Sequence, residues 1–185
     1  MKPFYLAILV LLTSINSLAI EYRGLLASES TLSFDYRQMG VPMEGNFSRF
    51  SAQIAFDPAQ ASTASARFEV DLNSIDVGYS DGNEEILKAS WLNISEYPSA
   101  QFISSKITHL DGNKFEIKGT LSIKGKTREV TVPLTITKTA GSQVFNGSLQ
   151  LNRLDFAIGE GIWADLSVVA NQITIHFLLV TKNQN

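Results

Sequence analysis

The sequence predicts an all-β chain, an extended antiparallel barrel of eight strands with one short helix inserted between two of them. Three observations carry this. Apolar and polar residues alternate through almost every segment after residue 20, short glycine- or proline-marked turns join the segments, and only residues 82–92 break the period. A period of two places the two residue sets on opposite faces of a strand. Many strands with one apolar face each must enclose those faces. Short connections favour neighbouring antiparallel pairs, hence an up-and-down barrel over a crossed sandwich. At eight strands the lumen is either packed solid or holds one slender ligand.

The first 19 residues read as an export leader: Lys2 is a positive start, residues 6–12 are an apolar run, and Ser17-Leu18-Ala19 offers small residues for cleavage after Ala19. Residues 20–185 are then expected to form a single domain, exported to the periplasm and soluble. No later stretch approaches the roughly 20 apolar residues of a membrane-spanning helix. Without Lys2, 14 basic residues stand against 18 acidic ones, a charge of −4. That mild acidity, without a basic cluster, argues against nucleic acid as a partner. The chain has no cysteine, so thiol chemistry, thiolate metal sites and a lipoprotein anchor are excluded.

Residues 20–26 read as a first, irregular strand. In residues 31–38, Leu32, Phe34 and Tyr36 alternate with Ser33, Asp35 and Arg37, until Gly40 and Pro42 interrupt. Residues 45–56 set Phe50, Ala52, Ile54 and Phe56 on one face, and Asp57-Pro58 closes them as a turn. Residues 64–72 place Phe68, Val70 and Leu72 together. Residues 82–92 suit a short helix with Ile86, Leu87 and Trp91 inward, capped by Asp81 or Asn83. Strands resume at 101–110, turn at Asp111-Gly112-Asn113 and continue through 114–124. After Gly125-Lys126, Val130, Val132, Leu134 and Ile136 alternate with polar neighbours; Pro133 lacks an N–H and belongs at a bulge or an unpaired edge. Residues 143–152 follow Ala140-Gly141-Ser142, and a loop with Gly159, Gly161 and Trp163 leads to a last strand bearing Ile173, Ile175, Phe177 and Leu179.

The inward parity supplies Phe34, Tyr36, Phe50, Ile54, Phe68, Val70, Phe115, Ile117, Leu121, Val132, Leu134, Leu149, Leu151, Ile173, Ile175 and Phe177. Parity alone fits a dry tunnel and a filled core equally, and a filled core is the default. Met39, Met43, Trp91 and Trp163 are placed either to frame a mouth or to plug the barrel ends. Leu87, Phe102 and Phe156 complete the candidate ligand-binding set. His109 and His176 have no spacing suited to a metal. Asp155, Glu160 and Asp165 flank the Trp163 loop, where turn and capping roles are the commoner use. Arg153 and Asp155 are expected to make an ion pair or a turn hydrogen bond. No Gly-x-Ser-x-Gly elbow is present.

Several segments carry a resemblance. They are Asp57-Pro58, Asn73-Ser74-Ile75-Asp76, Ala89-Ser90-Trp91-Leu92, Glu96-Tyr97-Pro98, Ala100-Gln101-Phe102, Gly119-Thr120-Leu121-Ser122-Ile123-Lys124-Gly125, Thr127-Arg128-Glu129-Val130 and Asn152-Arg153-Leu154-Asp155-Phe156. In this order they resemble the YceI family across nearly the whole chain after the leader. The resemblance implies a lipocalin-like barrel with a helix at one side, in an exported bacterial protein holding an isoprenoid lipid, a polyprenyl or quinone tail, in an apolar tunnel. It implies no enzyme activity and no cofactor besides that ligand. The loop from Gly159 to Asp165 resembles a subgroup with membrane cytochrome b-type neighbours, which implies such a partner; a homodimer stays open. Two other readings remain: a lipocalin-like enzyme using Asp155, Glu160 or Asp165 on an apolar substrate, and a ligand-free accessory protein of a membrane redox complex.

Overall fold

The computed structural model describes residues 21–22, 24–56, 63–139 and 141–182. The export leader and the Asp57-Pro58 turn lie outside the described residues. The described chain forms one antiparallel sheet of eleven strands: β1 (Glu21–Tyr22), β2 (Thr31–Gln38), β3 (Val41–Phe47), β4 (Phe50–Ala55), β5 (Ser65–Asp71), β6 (Ile75–Asp76), β7 (Ser99–Asp111), β8 (Lys114–Ile123), β9 (Lys126–Thr139), β10 (Ser142–Asn152) and β11 (Gln172–Lys182). The strand order is β1-β4-β5-β7-β8-β9-β10-β11-β2-β3-β6.

The all-β antiparallel fold is as the alternation predicts, but the strand count is higher, for two reasons. Pro42 does not interrupt the sheet: it pairs across a tight hairpin with Arg37, and β3 extends from Val41. The run expected as a single strand over 45–56 bends at Ser48-Arg49 into β3 and β4. There the Ser74 hydroxyl accepts from Arg49 N at 3.0 Å, and Ser48 N donates to the Ser74 carbonyl. The pairs β1–β4 and β3–β6, two residues long, are too short to leave a periodic signal.

These short pieces close the barrel. Residues 21–22 and 24–26 serve the two flanks: Glu21 and Tyr22 pair with β4, while Leu25 bridges Thr181 and Leu26 N donates to the Val180 carbonyl at 2.8 Å. At the opposite end β6 extends the β3 edge, and Asp71 N donates to the Arg49 carbonyl at 3.0 Å.

The β9–β10 ladder runs from Ser142↔Thr139 only to Gly147↔Leu134. It stops next to Pro133, which has no N–H to continue it. Beyond that point β9 pairs only with β8 and β10 only with β11. The 3-10 turn at Arg153–Phe156 follows directly, and Phe156 packs with Leu121, Ile123 and Leu92 in one of two core clusters. The other, around Phe56, Phe115, Phe145 and Leu179, sits at the far end.

The helix is shorter than expected, α1 over Ser80–Glu85. It tightens after Glu85 because Lys88 N and Trp91 N reach back only three residues, to Glu85 and Lys88. Neither expected cap forms. Tyr79 occupies the N-cap position without a side-chain bond, and the Asn83 amide instead accepts from Val77 N at 2.7 Å and donates to Asp76 at 3.0 Å.

Candidate functional site

The barrel is not filled. A tunnel of about 280 Å³ runs along its axis, walled by inward residues of β2, β4, β5, β7 to β11 and the segment around α1. One end is shut by Phe56, Ile136, Phe145 and Leu179, all buried. Tyr36, Gln38, Tyr79, Glu85 and Trp163 line the opposite end and are half-buried or exposed, which makes it the mouth.

Most of the residues picked from parity line this space: Phe34, Tyr36, Ile54, Phe68, Val70, Phe102, Ile117, Leu121, Val132, Leu134, Leu149, Leu151, Ile173, Ile175 and Phe177, joined by Trp91 and Trp163. Five others do not. Met39 sits at the β2–β3 turn with a positive φ of 48°, 71% exposed. Phe50 packs tilted against Phe68 with ring centres 5.7 Å apart and does not line the tunnel. Leu87 lies in the turns after α1, where its carbonyl accepts from Ile94 N. Phe115 is spent on edge-on packing against Phe56 and on His109, and Phe156 is locked in the core behind the wall. Parity assigns a face of the sheet, but not how deep into the lumen a side chain reaches. The same parity already marked Phe56, Phe145 and Leu179. No pattern marked Gln38, Tyr79 or Glu85 for the mouth, which they reach from the end of β2 and from the N-cap and last residue of α1.

The mouth is braced by polar bonds. The Trp163 indole N–H donates to Glu85 Oε1 at 3.0 Å, and Lys88 donates to Oε2 at 2.6 Å. These donors, Lys88 first, hold the Glu85 carboxyl below its ordinary value. Trp91 packs on Trp163 with ring centres 5.4 Å apart. Its own indole N–H lies near the same carboxylate and adds weakly to that effect, yet reaches no partner in hydrogen-bonding geometry and is covered by protein. The Tyr36 hydroxyl donates to the Val77 carbonyl at 3.1 Å, and burial, then the neighbouring Tyr79, raises its pKa. The Tyr79 hydroxyl donates to Gln38 at 3.2 Å.

Behind the mouth Arg153 is 1% exposed and makes no ion pair with Asp155; it resolves as the hydrogen-bonding alternative, at larger scale. Its guanidinium donates to five carbonyls: Ala170 from Nε, Ile158 and Gly159 from Nη1, Trp163 and Val169 from Nη2, at 2.7 to 3.1 Å. All five N–H groups of an arginine are thereby used. Burial pushes its pKa down, and it lies 5.6 Å from the Trp91 ring. One side chain thus ties the whole Trp163 loop to the barrel. Gly159, at φ +79°, is required because a Cβ there would collide with Arg153 Nη1.

The acids of the enzyme reading are used elsewhere. Glu160 pairs with buried Lys124 at 2.8 Å, Asp165 accepts from Ser167 N and Oγ, Asp155 is exposed, and none of the three lines the tunnel. His109 bonds the Gly112 carbonyl and His176 faces Asp35 at 2.9 Å. Among the described residues no three His, Asp or Glu side chains are grouped to hold a metal, and no helix is long and apolar enough to cross a membrane.

The family described as YceI-like domain matches residues 25–181. The chain belongs to that family. Protein YceI of Salmonella arizonae is 27% identical to it over 125 residues, 66% of this chain and 65% of that protein. A UPF0312 protein of Vibrio cholerae is 24% identical over 106 residues, so this chain spans 56% of that relative's length. Among solved structures, Burkholderia cenocepacia BcnA matches with a TM-score of 0.82 and 41% identity, covering 84% of this chain and 98% of that one. A polyisoprenoid binding domain from Saccharophagus degradans, implicated in plant cell wall breakdown, matches with a TM-score of 0.70 at 18% identity, covering 87% and 98%. The fold described above is therefore shared over nearly the whole length of both solved chains.

Proposed function

We propose that this YceI-like protein is an exported carrier that sequesters a long isoprenoid tail in its tunnel, without covalent chemistry. The observation that carries the reading is the lining: from Phe145 and Leu179 at the shut end to Phe34, Ile175 and Phe177 near the middle it is almost wholly apolar, and polar groups enter it mainly at the mouth. Such a wall suits a ligand that has no hydrogen-bonding groups along its length and leaves a head at the opening. Each five-carbon unit withdrawn from water contributes roughly 4 kcal/mol gross. Two units therefore reach the order of micromolar binding before ordering costs are subtracted. The polyisoprenoid binding of the Saccharophagus degradans domain supports the same ligand class. The leader at residues 1–19 supports export to the periplasm.

Native mass spectrometry of the exported protein, followed by solvent extraction of whatever it carries, tests this. A stoichiometric polyprenyl or quinone lipid is the expected result. A protein that is empty and also refuses such lipids when offered overturns it.

A further inference from the structure

Large apolar side chains exposed to solvent gather at one place. Met39 (71% exposed), Val41 (57%), Tyr79 (42%), Ile162 (82%) and Leu166 (52%) account for most of those in the described chain. They come from three separate segments that the fold ties together around the tunnel mouth. Met39 N donates to the Val168 carbonyl at 2.8 Å, Gln38 bridges Val169 and pairs with Val41, and Tyr79 bonds Gln38. Ile162 is next to Trp163, which lines the tunnel itself.

We propose that this ring seats the protein on a zwitterionic phospholipid surface, so that cargo passes between bilayer and tunnel without crossing water. The proposal rests on the carrier reading. A long isoprenoid tail resides in a bilayer, and its release into water would forfeit the burial that holds it. An apolar collar around an apolar opening removes that aqueous gap, and its aromatic member, Tyr79, suits an interface that is apolar on one side and wet on the other. Met39 and Val41 stand on a hairpin tip, Ile162 on a 3-10 turn, Gly161–Ala164, and Leu166 just after it, which present a thin projecting layer for shallow insertion. Charge selects the surface. Exposed Asp81, Glu84 and Asp165 stand near ring residues in the sequence against Arg37, with Lys88 paired to Glu85, so the balance is acidic and disfavours anionic headgroups relative to zwitterionic ones.

The test is flotation of the full exported protein with phosphatidylcholine vesicles and with vesicles also containing phosphatidylglycerol, for the natural chain and for Ile162→Ser combined with Leu166→Ser. Uptake of a polyprenol delivered in detergent is measured in parallel. The expected result is flotation on phosphatidylcholine that persists at about 1 M salt, where charges are screened beyond about 3 Å. It should fall tenfold or more in the double variant, with polyprenol uptake unchanged. Three results overturn the proposal: no flotation on phosphatidylcholine, flotation only on anionic vesicles and lost in salt, or a dimer abolished by the double variant while vesicles are ignored. A protein that takes polyprenol but ignores vesicles sinks the docking alone. One that floats but never takes polyprenol sinks the carrier reading instead.

Discussion

The indole N–H of Trp163 donates to the Glu85 carboxylate at 3.0 Å, joining residues 78 positions apart at the mouth of the tunnel. Replacing Trp163 by Phe keeps the ring stack on Trp91 but removes this tie. A bound isoprenoid should then leave faster, by several fold, with its association rate little changed. Stopped-flow displacement of a preloaded lipid measures both rates; an unchanged off-rate would show that the bond does not restrain the mouth.

The same bond makes retention depend on pH. Lys88 above all holds the Glu85 carboxyl below its ordinary value of 4.5. A carboxyl whose pKa is lower in the folded state contributes above its unfolded value and loses that contribution as pH falls through the folded one. Lipid retention should therefore be flat from neutral pH down to about 5 and fall below about 4. The Glu85→Gln variant, which keeps an acceptor oxygen, should show a shallower fall. Retention titrated for both proteins checks this, since the other depressed acids, Asp71, Asp76, Glu160 and Asp165, remain common to the two.

Removing Arg153 strands five carbonyls and leaves a hole at a fully buried position. Arg153→Ala is expected to cost about 3–5 kcal/mol. Arg153→Lys should recover only part of it, because an ammonium offers three donors in place of five. Urea unfolding midpoints at constant m-value give the comparison.

Ala52 lines the tunnel from β4, opposite Phe68. Ala52→Phe should fill part of the lumen and lower lipid uptake tenfold or more, while the unfolding midpoint holds or rises. Loss of fold together with uptake would mean that the lumen lacks the space described.

Gly147 closes the β9–β10 ladder where the strands part. A Cβ there would come to 2.7 Å from the Pro133 carbonyl and 2.6 Å from the Phe177 ring. Backbone cannot yield as a flexible side chain does, so Gly147→Ala should destabilise by about 1–3 kcal/mol, read from thermal unfolding.

How much of this was legible in the sequence follows from what each signal encodes. Alternation exposes side-chain direction, so the long strands and most of the tunnel wall, Phe34 to Phe177, could be read directly. It is blind where pairing lasts two residues, as in β1 and β6, and one continuous parity does not hold through the bend at Ser48-Arg49, where the inward set shifts from Phe47 to Ala52 and Ile54. It marked Phe50 and Phe115, which do not line the tunnel, because inward-facing and cavity-lining are different properties. Arg153 could be marked by its motif, but its five carbonyl partners come from the loop that it organises, and loop geometry leaves no periodic trace. The resemblance placed the family; Glu85, Gln38 and Tyr79 at the mouth needed the fold.

The barrel's seam has a consequence for the order of events in the chain's life. Leu25 bridges Thr181, so segments from the two ends of the described residues meet at the seam. Contacts of such sequence separation are slow to form, since most of the chain must be arranged before they reward closure. Until β11 is in place β10 and β2 lack their shared neighbour and remain open edges, and the lumen is a trough that cannot retain anything. Enclosure of a cargo is thus a late act of folding, and a chain that stops before Val180 keeps nearly all its strands while losing the means to shut.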